Sequence, residues 1–177
     1  MFLLLYVDDS LIIGPRPEVD EVKAQLMSRW KYKDLGPVTQ FISLQIQRQA
    51  KTLKIHQAVY TTKLLERFGL AGCNPRKLPF DSGVKLTDDP KPFTDENLIK
   101  LYQQITGCLI YLAKHTRPEI SWNVTQLARF MGKPGESHLR ASKELLRYLS
   151  GTVTYGLNFD CSEPSAMEQL LAYADAL

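Results

Sequence analysis

The chain has 177 residues, 44% of them hydrophobic and 23% charged, with a formal net charge of +3. That length suits one domain or two small ones, and the apolar share excludes a disordered chain. The three cysteines (Cys73, Cys108, Cys161) and three histidines (His56, His115, His138) are widely scattered with no CxxC, which argues against a disulfide framework or a zinc site and suits a reducing compartment. The first stretch, Phe2-Leu3-Leu4-Leu5-Tyr6-Val7-Asp8-Asp9-Ser10-Leu11-Ile12-Ile13-Gly14, is an apolar run broken by two adjacent carboxylates and then resumed. It predicts two short strands in a tight hairpin with Asp8 and Asp9 at its tip. Adjacent carboxylates beside apolar strands call for a cation, and magnesium takes such hard oxygen ligands. The plainer alternative is a solvated Asp-Asp turn. Leu3-Leu4-Leu5 is not a signal-peptide core, because no basic residue precedes it and the acidic pair cuts it short. No later run is long enough to span a membrane.

Pro15-Arg16-Pro17 predicts a turn into a helix, with Pro17 and Glu18 suited to its first turn and Val19, Val22, Leu26 and Trp30 on the face packed against the aspartate-bearing sheet. Lys31 and Lys33 follow, and by themselves read as a solvated basic turn. Asp34-Leu35-Gly36-Pro37 is a turn. Residues 44–47 and 52–56 alternate apolar and polar around Gln49-Ala50-Lys51, a hairpin pattern. Residues 57–68 predict a helix with Tyr60, Leu64 and Phe68 on one face, Lys63 and Arg67 on a basic edge, and Gly69 as its stop. Residues 72–94 are rich in Pro, Gly and Asp and read as the domain boundary.

Three helices are expected next. The first is capped by Thr94 and buries Leu98, Leu101, Tyr102, Ile105, Leu109 and Leu112. The second opens on Thr116-Arg117-Pro118-Glu119 as a capping box with Thr116 as cap and buries Ile120, Val124, Leu127 and Met131. The third runs from Glu136 to Leu149 with Leu139, Leu146 and Leu149 inward. Its Arg140, Lys143 and Arg147 fall at i, i+3 and i+7 and make one positive side, unless Arg140 pairs with Glu144 as part of a solvated face. Residues 155–159 and 170–175 read as strands, the latter ending at Asp175. Basic residues, Arg117 among them, dominate 48–77 and 100–150, while acids gather toward the ends and in 81–96. That distribution suits phosphate contacts in the middle and metal sites at the ends.

Tyr6-Val7-Asp8-Asp9 resembles the palm motif of reverse transcriptases. From Leu3 to Ala176 the chain is similar to the polyprotein of copia-type (Ty1/copia) LTR retrotransposons. The segments that carry this most closely are Gly107-Cys108-Leu109-Ile110-Tyr111-Leu112, Thr116-Arg117-Pro118-Glu119-Ile120 and Leu146-Arg147-Tyr148-Leu149-Ser150-Gly151-Thr152. The resemblance implies an α+β chain: the last part of a palm (1–47), a thumb-like hairpin and helix (48–77), a linker (78–94), a helical connection (95–151) and the first strands of an RNase H-like fold (152–177). It implies RNA-directed DNA polymerisation with two Mg2+ ions held by Asp8, Asp9 and a third aspartate from an earlier strand. Lys31 or Lys33 would protonate pyrophosphate, and Lys63, Arg67, Arg140, Lys143 and Arg147 would contact nucleic acid. The partners would be an RNA/DNA template-primer and a dNTP, with no membrane, in the cytoplasm (a virus-like particle) or the nucleus.

Phe41-Ile42-Ser43-Leu44 stands where the family usually has Phe-Leu-Gly-Leu, in the segment resembling the primer grip, where glycine lets the backbone approach the primer. Tyr173-Ala174-Asp175-Ala176 resembles the opening of ribonuclease H, where Asp175 would be the first metal ligand, but Leu177 replaces the second Asp. The third aspartate and the fingers are expected to lie before Met1, so the chain alone is expected not to polymerise. It would be a fragment of a transposon gene, with a non-catalytic nucleic-acid-binding remnant or a decayed copy as alternatives.

Overall fold

A computed structural model of the chain describes residues 1–80 and 86–160. The expected strand at 170–175, Cys161 and Asp175 lie outside the described residues. Helices and strands are mixed, and the chain divides into two compact units. The first covers Met1–Leu53 with Asp160, and the second covers Lys54–Phe159. The division therefore falls earlier than the proline-rich stretch that reads as a boundary.

In the first unit, β1 (Phe2–Tyr6) and β2 (Asp9–Ile13) form an antiparallel pair in which Phe2 faces Ile13 and Tyr6 faces Asp9. The loop is Val7-Asp8, so Asp9 is not at the tip as expected but is the first residue of β2. A two-residue loop needs a backbone that twists with the strands, and Val7 supplies it at φ 55. A β-branched residue rarely takes that conformation, so the turn is strained. The apolar side chains of β1 are exposed, Phe2 at 73% and Leu5 at 66%. Helix α1 (Arg16–Arg29) has Pro17 and Glu18 in its first turn, as anticipated. Val19, Val22 and Leu26 are only half-buried, and Trp30, expected inward, is exposed. The following turn is held by Asp34, which accepts from the Gly36 N–H at 2.8 Å and from Lys23 at 2.9 Å. The Lys23 ammonium, helped by that backbone bond, holds the Asp34 carboxyl below the usual carboxylate range.

β3 (Gln40–Phe41) and β4 (Leu44–Arg48) are joined by Ile42-Ser43, with Phe41 facing Leu44. Here Ile42 sits at φ 57 and Ser43 does not have a positive φ. The left-handed residue is thus the one before the position where glycine is usual. Serine at 43 needs no glycine-only backbone.

β5 (Thr52–His56) continues the hairpin through Gln49-Ala50-Lys51, and its last three residues enter the second unit. There it lies beside β6 (Gly156–Asp160). Gly156 is required by this approach. A Cβ on it would collide with the Ile55 carbonyl oxygen and come to 2.7 Å from the His56 Cβ. Since the obstacle is backbone, Gly156→Ala should force the two strands apart and cost about 1–3 kcal/mol, measured as a lower denaturant midpoint of the full chain.

Helix α2 (Ala58–Arg67) ends in a full Schellman arrangement. Leu70 N–H donates to the Leu65 carbonyl at 2.8 Å and Gly69 N–H to Glu66 at 3.1 Å, with Gly69 at φ 68. Helix α3 (Glu96–His115) is capped by Asp95, whose carboxylate accepts the Asn97 N–H at 2.8 Å. Asp95 takes the role expected of Thr94. A short 3-10 turn (Pro118–Ile120) leads into α4 (Ser121–Ala128), and α5 (Glu136–Gly151) completes the unit.

The stripes anticipated on these helices form one core. Ile105, Leu109, Leu112, Ile120, Leu127, Leu146 and Leu149 are fully buried, joined by Leu145, each worth about 1.5–3 kcal/mol relative to exposure, while Leu98, Leu101 and Met131, expected inward, are only half-buried against them. The Tyr102 hydroxyl donates to the Leu127 carbonyl at 2.7 Å, and burial pushes that phenol up to about 12.

The described residues of the proline-rich stretch are part of this unit. Phe80 is buried in its core. Asp89 accepts from the Ser137 N–H at 3.4 Å and from the Ser137 hydroxyl at 2.9 Å, and so caps α5 from a distant segment. A Cβ at Gly135 would strike the Asp89 carboxylate, which explains that glycine. His138 accepts the Gly135 N–H through Nδ1 at 3.0 Å, so Nε2 carries the proton and donates to the Thr87 carbonyl at 2.9 Å.

Candidate functional site

The hairpin tip places Asp8 in the loop and Asp9 at the start of β2, with both side chains exposed. Two consecutive carboxylates reachable from solvent are a donor set of hard oxygens, and such a set fits magnesium. Among the described residues, no group of three or more His, Cys, Asp or Glu side chains is gathered as a metal cage. Asp8 and Asp9 by themselves could offer an ion only part of its ligands, as carboxylates do where magnesium also takes phosphate oxygens and waters. Lys31 and Lys33 are exposed in the irregular stretch after α1.

The cations expected to touch nucleic acid differ in how free they are. Lys63 and Arg67 are exposed on α2, and Arg67 Nη2 donates to Gln104 Oε1 on α3 at 3.2 Å. Arg140 and Lys143 are exposed on α5. Arg147 is half-buried, and its Nε donates to the Asn74 carbonyl at 2.8 Å. The third cation of that row thus secures the Cys73-Asn74-Pro75 turn. Glu144 does not pair with Arg140. It binds Arg76 at 3.0 Å.

Arg117, counted above with the basic middle, is not a surface cation at all. It is 1% exposed. Its Nε meets Glu119 at 2.6 Å, Nη1 donates to the Thr152 carbonyl at 3.0 Å and Nη2 to the Thr152 hydroxyl at 2.6 Å. Tyr148 and Tyr155 rings lie 5.7 and 5.6 Å from its guanidinium carbon. The expected capping box is absent for the same reason. Thr116 donates its hydroxyl to Gln57 Oε1 at 2.8 Å, and Glu119 is taken by Arg117. A buried guanidinium survives only with such a complete set of acceptors. Thr-Arg-Pro-Glu followed by a buried Ile was the signal available in the sequence, but it is shared with an ordinary helix start.

His56, also buried, accepts the Ala58 N–H through Nδ1 at 3.3 Å. Burial first, and Lys54 second, push its pKa below the ordinary imidazole value of 6.5. The unfolded chain then binds a proton between 6.5 and the lower folded pKa while the folded chain does not. Stability should therefore fall as pH drops below 6.5, and His56→Gln should lessen that slope. Thermal melts between pH 7.5 and 5 read both effects, and an identical slope in the variant would assign the acid sensitivity elsewhere.

Within this frame of an exposed Asp-Asp hairpin and a helical unit, comparison with known proteins defines the class. Residues 1–82 match the family described as reverse transcriptase (RNA-dependent DNA polymerase). The chain is 36% identical over 183 residues to the retrovirus-related Pol polyprotein from transposon TNT 1-94 of Nicotiana tabacum, aligning over 99% of its own length and 14% of that protein. It is 34% identical over 185 residues to the corresponding polyprotein from transposon RE1 of Arabidopsis thaliana, over 99% of the chain and 12% of that protein. A putative transposon Ty5-1 protein of Saccharomyces cerevisiae is 31% identical over 180 residues, 99% of the chain and 56% of that protein. No solved structure matches the chain. Over almost its whole length the chain is thus similar to copia-type retrotransposon Pol polyproteins, and its first 82 residues match the reverse transcriptase family. It spans about an eighth of the two plant polyproteins. No helix among the described residues is long and apolar enough to cross a membrane.

Proposed function

We propose that this segment supplies the paired aspartates of a polymerase site that copies RNA into DNA in the parent polyprotein. The observation that carries the reading is the Tyr6-Val7-Asp8-Asp9 tip. A strained Val7 at φ 55 turns the chain within two residues and leaves both carboxylates exposed. Strain of that kind persists where surrounding structure enforces it, and it clusters at functional sites. Asp8 and Asp9 would hold two Mg2+ ions together with an aspartate from elsewhere in the domain. The bound ions would supply the Lewis acidity that lowers the pKa of the primer 3′-hydroxyl and neutralises the triphosphate. The residues of this chain position that charge, and Lys31 or Lys33 would offer a proton to pyrophosphate. Residues 1–47 act as the end of the palm and 48–77 as the thumb in this reading. Lys63, Arg67, Arg140 and Lys143 are exposed and suited to the backbone of the template-primer, which positions a duplex without reading its sequence. The test is primer extension by the intact parent polyprotein on an RNA template with dNTPs and Mg2+. Product that depends on RNA template and is lost on chelation supports the reading, and an intact parent with no extension overturns it.

A further inference from the structure

We propose that Lys23 and Asp34 form a clamp that holds Lys33, rather than Lys31, as the group that gives a proton to the departing pyrophosphate. The proposal rests on the polymerase reading above and assigns two positioning residues within it. Helix α1 buries no residue, and beyond it Trp30 and Leu35 are exposed at 57% and 81%. Apolar packing therefore does not fix residues 30–36, and polar contacts take its place. The Trp30 N–H donates to the Leu26 carbonyl at 2.9 Å and the Tyr32 N–H to the Trp30 carbonyl at 2.8 Å, which turns the chain at the helix end. Asp34 then meets Lys23, 11 positions earlier, at 2.9 Å and closes the stretch into a loop against α1. The same carboxylate accepts the Gly36 N–H at 2.8 Å. Gly36, at φ 78, takes a left-handed backbone that other residues adopt at a cost. Residues 34–36 are thus anchored through one side chain. Arg16 and Asp20, one turn apart on α1, are 3.9 Å apart and largely exposed, so they anchor nothing comparable.

An ion pair at the surface adds little stability, so what this one does is fix position and charge. Lys33 is covalently next to Asp34, with Cα atoms about 3.8 Å apart, whereas Lys31 is three residues away at the helix end. Both lysines are exposed, and neither pairs with a carboxylate among the described residues. Asp34 is the acid nearest to Lys33 along the chain. The Lys23 ammonium and the Gly36 N–H occupy it and hold its carboxyl below the usual carboxylate range. Lys33 therefore keeps its charge and its three N–H donors for an anionic ligand. In the step itself the primer 3′-hydroxyl loses its proton to solvent, and its oxygen bonds the α-phosphorus of the dNTP. The bond from that phosphorus to the oxygen shared with the β-phosphorus breaks, and its electron pair stays on that oxygen. A proton passes to it from Lys33 Nζ, and the neutral amine regains one from water.

The experiment measures single-turnover incorporation of one dNTP by the intact parent polyprotein on a primed RNA template, separating maximal rate from nucleotide affinity. Lys33→Gln should lower the maximal rate about 10^2-fold, the low end of general acid catalysis, and Lys31→Gln should lower it less. Asp34→Asn and Lys23→Met should each lower it about tenfold with nucleotide affinity held, since displacing a reacting group slightly costs up to about 10^2-fold. Lys23→Met should be the more damaging, because it leaves Asp34 free to pair with Lys33. Lys23→Arg keeps the pair and should keep most of the rate. In a Lys33→Gln background Asp34→Asn should cost nothing further, because no donor is left to position. Losses that multiply in that double variant, or a larger loss in Lys31→Gln than in Lys33→Gln, overturn the proposal. They leave the polymerase reading in place, since that reading depends on Asp8. A parent that makes no product on RNA overturns both. In the 177-residue chain, amide hydrogen exchange over residues 31–36 should quicken in Lys23→Met, and unchanged exchange there overturns the clamp without reference to activity.

Discussion

Asp8→Asn in the intact parent polyprotein should reduce primer extension on the order of 10^3-fold or more, the scale on which removing one member of a catalytic unit acts. The substitution keeps the shape of the side chain and removes the negative charge that would bind the metal directly. Asp9→Asn should cost as much or somewhat less, because Asp9 is already the first residue of β2 opposite Tyr6 while Asp8 lies in the loop. Folding supplies the control. The two carboxylates are adjacent and like-charged, so either substitution relieves repulsion, and the metal-free chain should melt no lower than the parent. Extension retained in the Asp8 variant would show that the pair serves the turn and not the chemistry. Loss of extension together with a lower melting temperature would point to a folding defect and not to lost metal binding.

Arg117→Met carries the largest expected effect on stability. Removing one partner of a buried ion pair costs about 3–5 kcal/mol when the other charge is left stranded. Glu119 is 38% exposed in its side chain and can be rehydrated, so that part of the penalty is reduced. The two bonds to Thr152 are not recoverable in this way, because they tie the end of α3 to the end of α5 through a side chain sealed from water. We expect about 3 kcal/mol, from hydrogen bonds to a charged group at about 1.5–3 kcal/mol each. For a chain of this size that corresponds to a melting temperature lower by about 10 °C. Arg117→Lys should recover less than half of the loss, since an ammonium cannot reach Glu119, the Thr152 carbonyl and its hydroxyl from one planar fork. A melting temperature within about 2 °C of the parent for Arg117→Met would show that the buried guanidinium contributes specificity of packing and little stability.

Periodicity alone determined the helical half of this protein. Tyr102, Ile105, Leu109 and Leu112 on α3, and Leu139, Leu146 and Leu149 on α5, recur at the spacing of one helix face, and a face of that kind has to be buried whatever it meets. The Asp-Asp hairpin was legible for a similar reason. A break of two acids in an apolar run leaves few local conformations that pair the flanks. The end of α2 was equally local, because Gly69 supplies the left-handed residue that its Schellman motif needs.

What the sequence left undecided depends on partners far along the chain. Thr116 and Glu119 have the spacing of a capping box, yet Gln57 and Arg117 compete for them and win. The competing partner of Thr116 lies 59 residues away and is invisible to local spacing. Arg147 stands in line with Arg140 and Lys143 on paper, but the Asn74 carbonyl takes it. The proline-rich stretch has the composition of a linker, and contacts such as those of Phe80 with the core and of Asp89 with Ser137 make its described residues part of the second unit. Local patterns fix a face, a turn or a stop because those follow from neighbouring residues. Which polar group satisfies which, and which cation stays free for a ligand, is settled only when distant segments compete for the same acceptors.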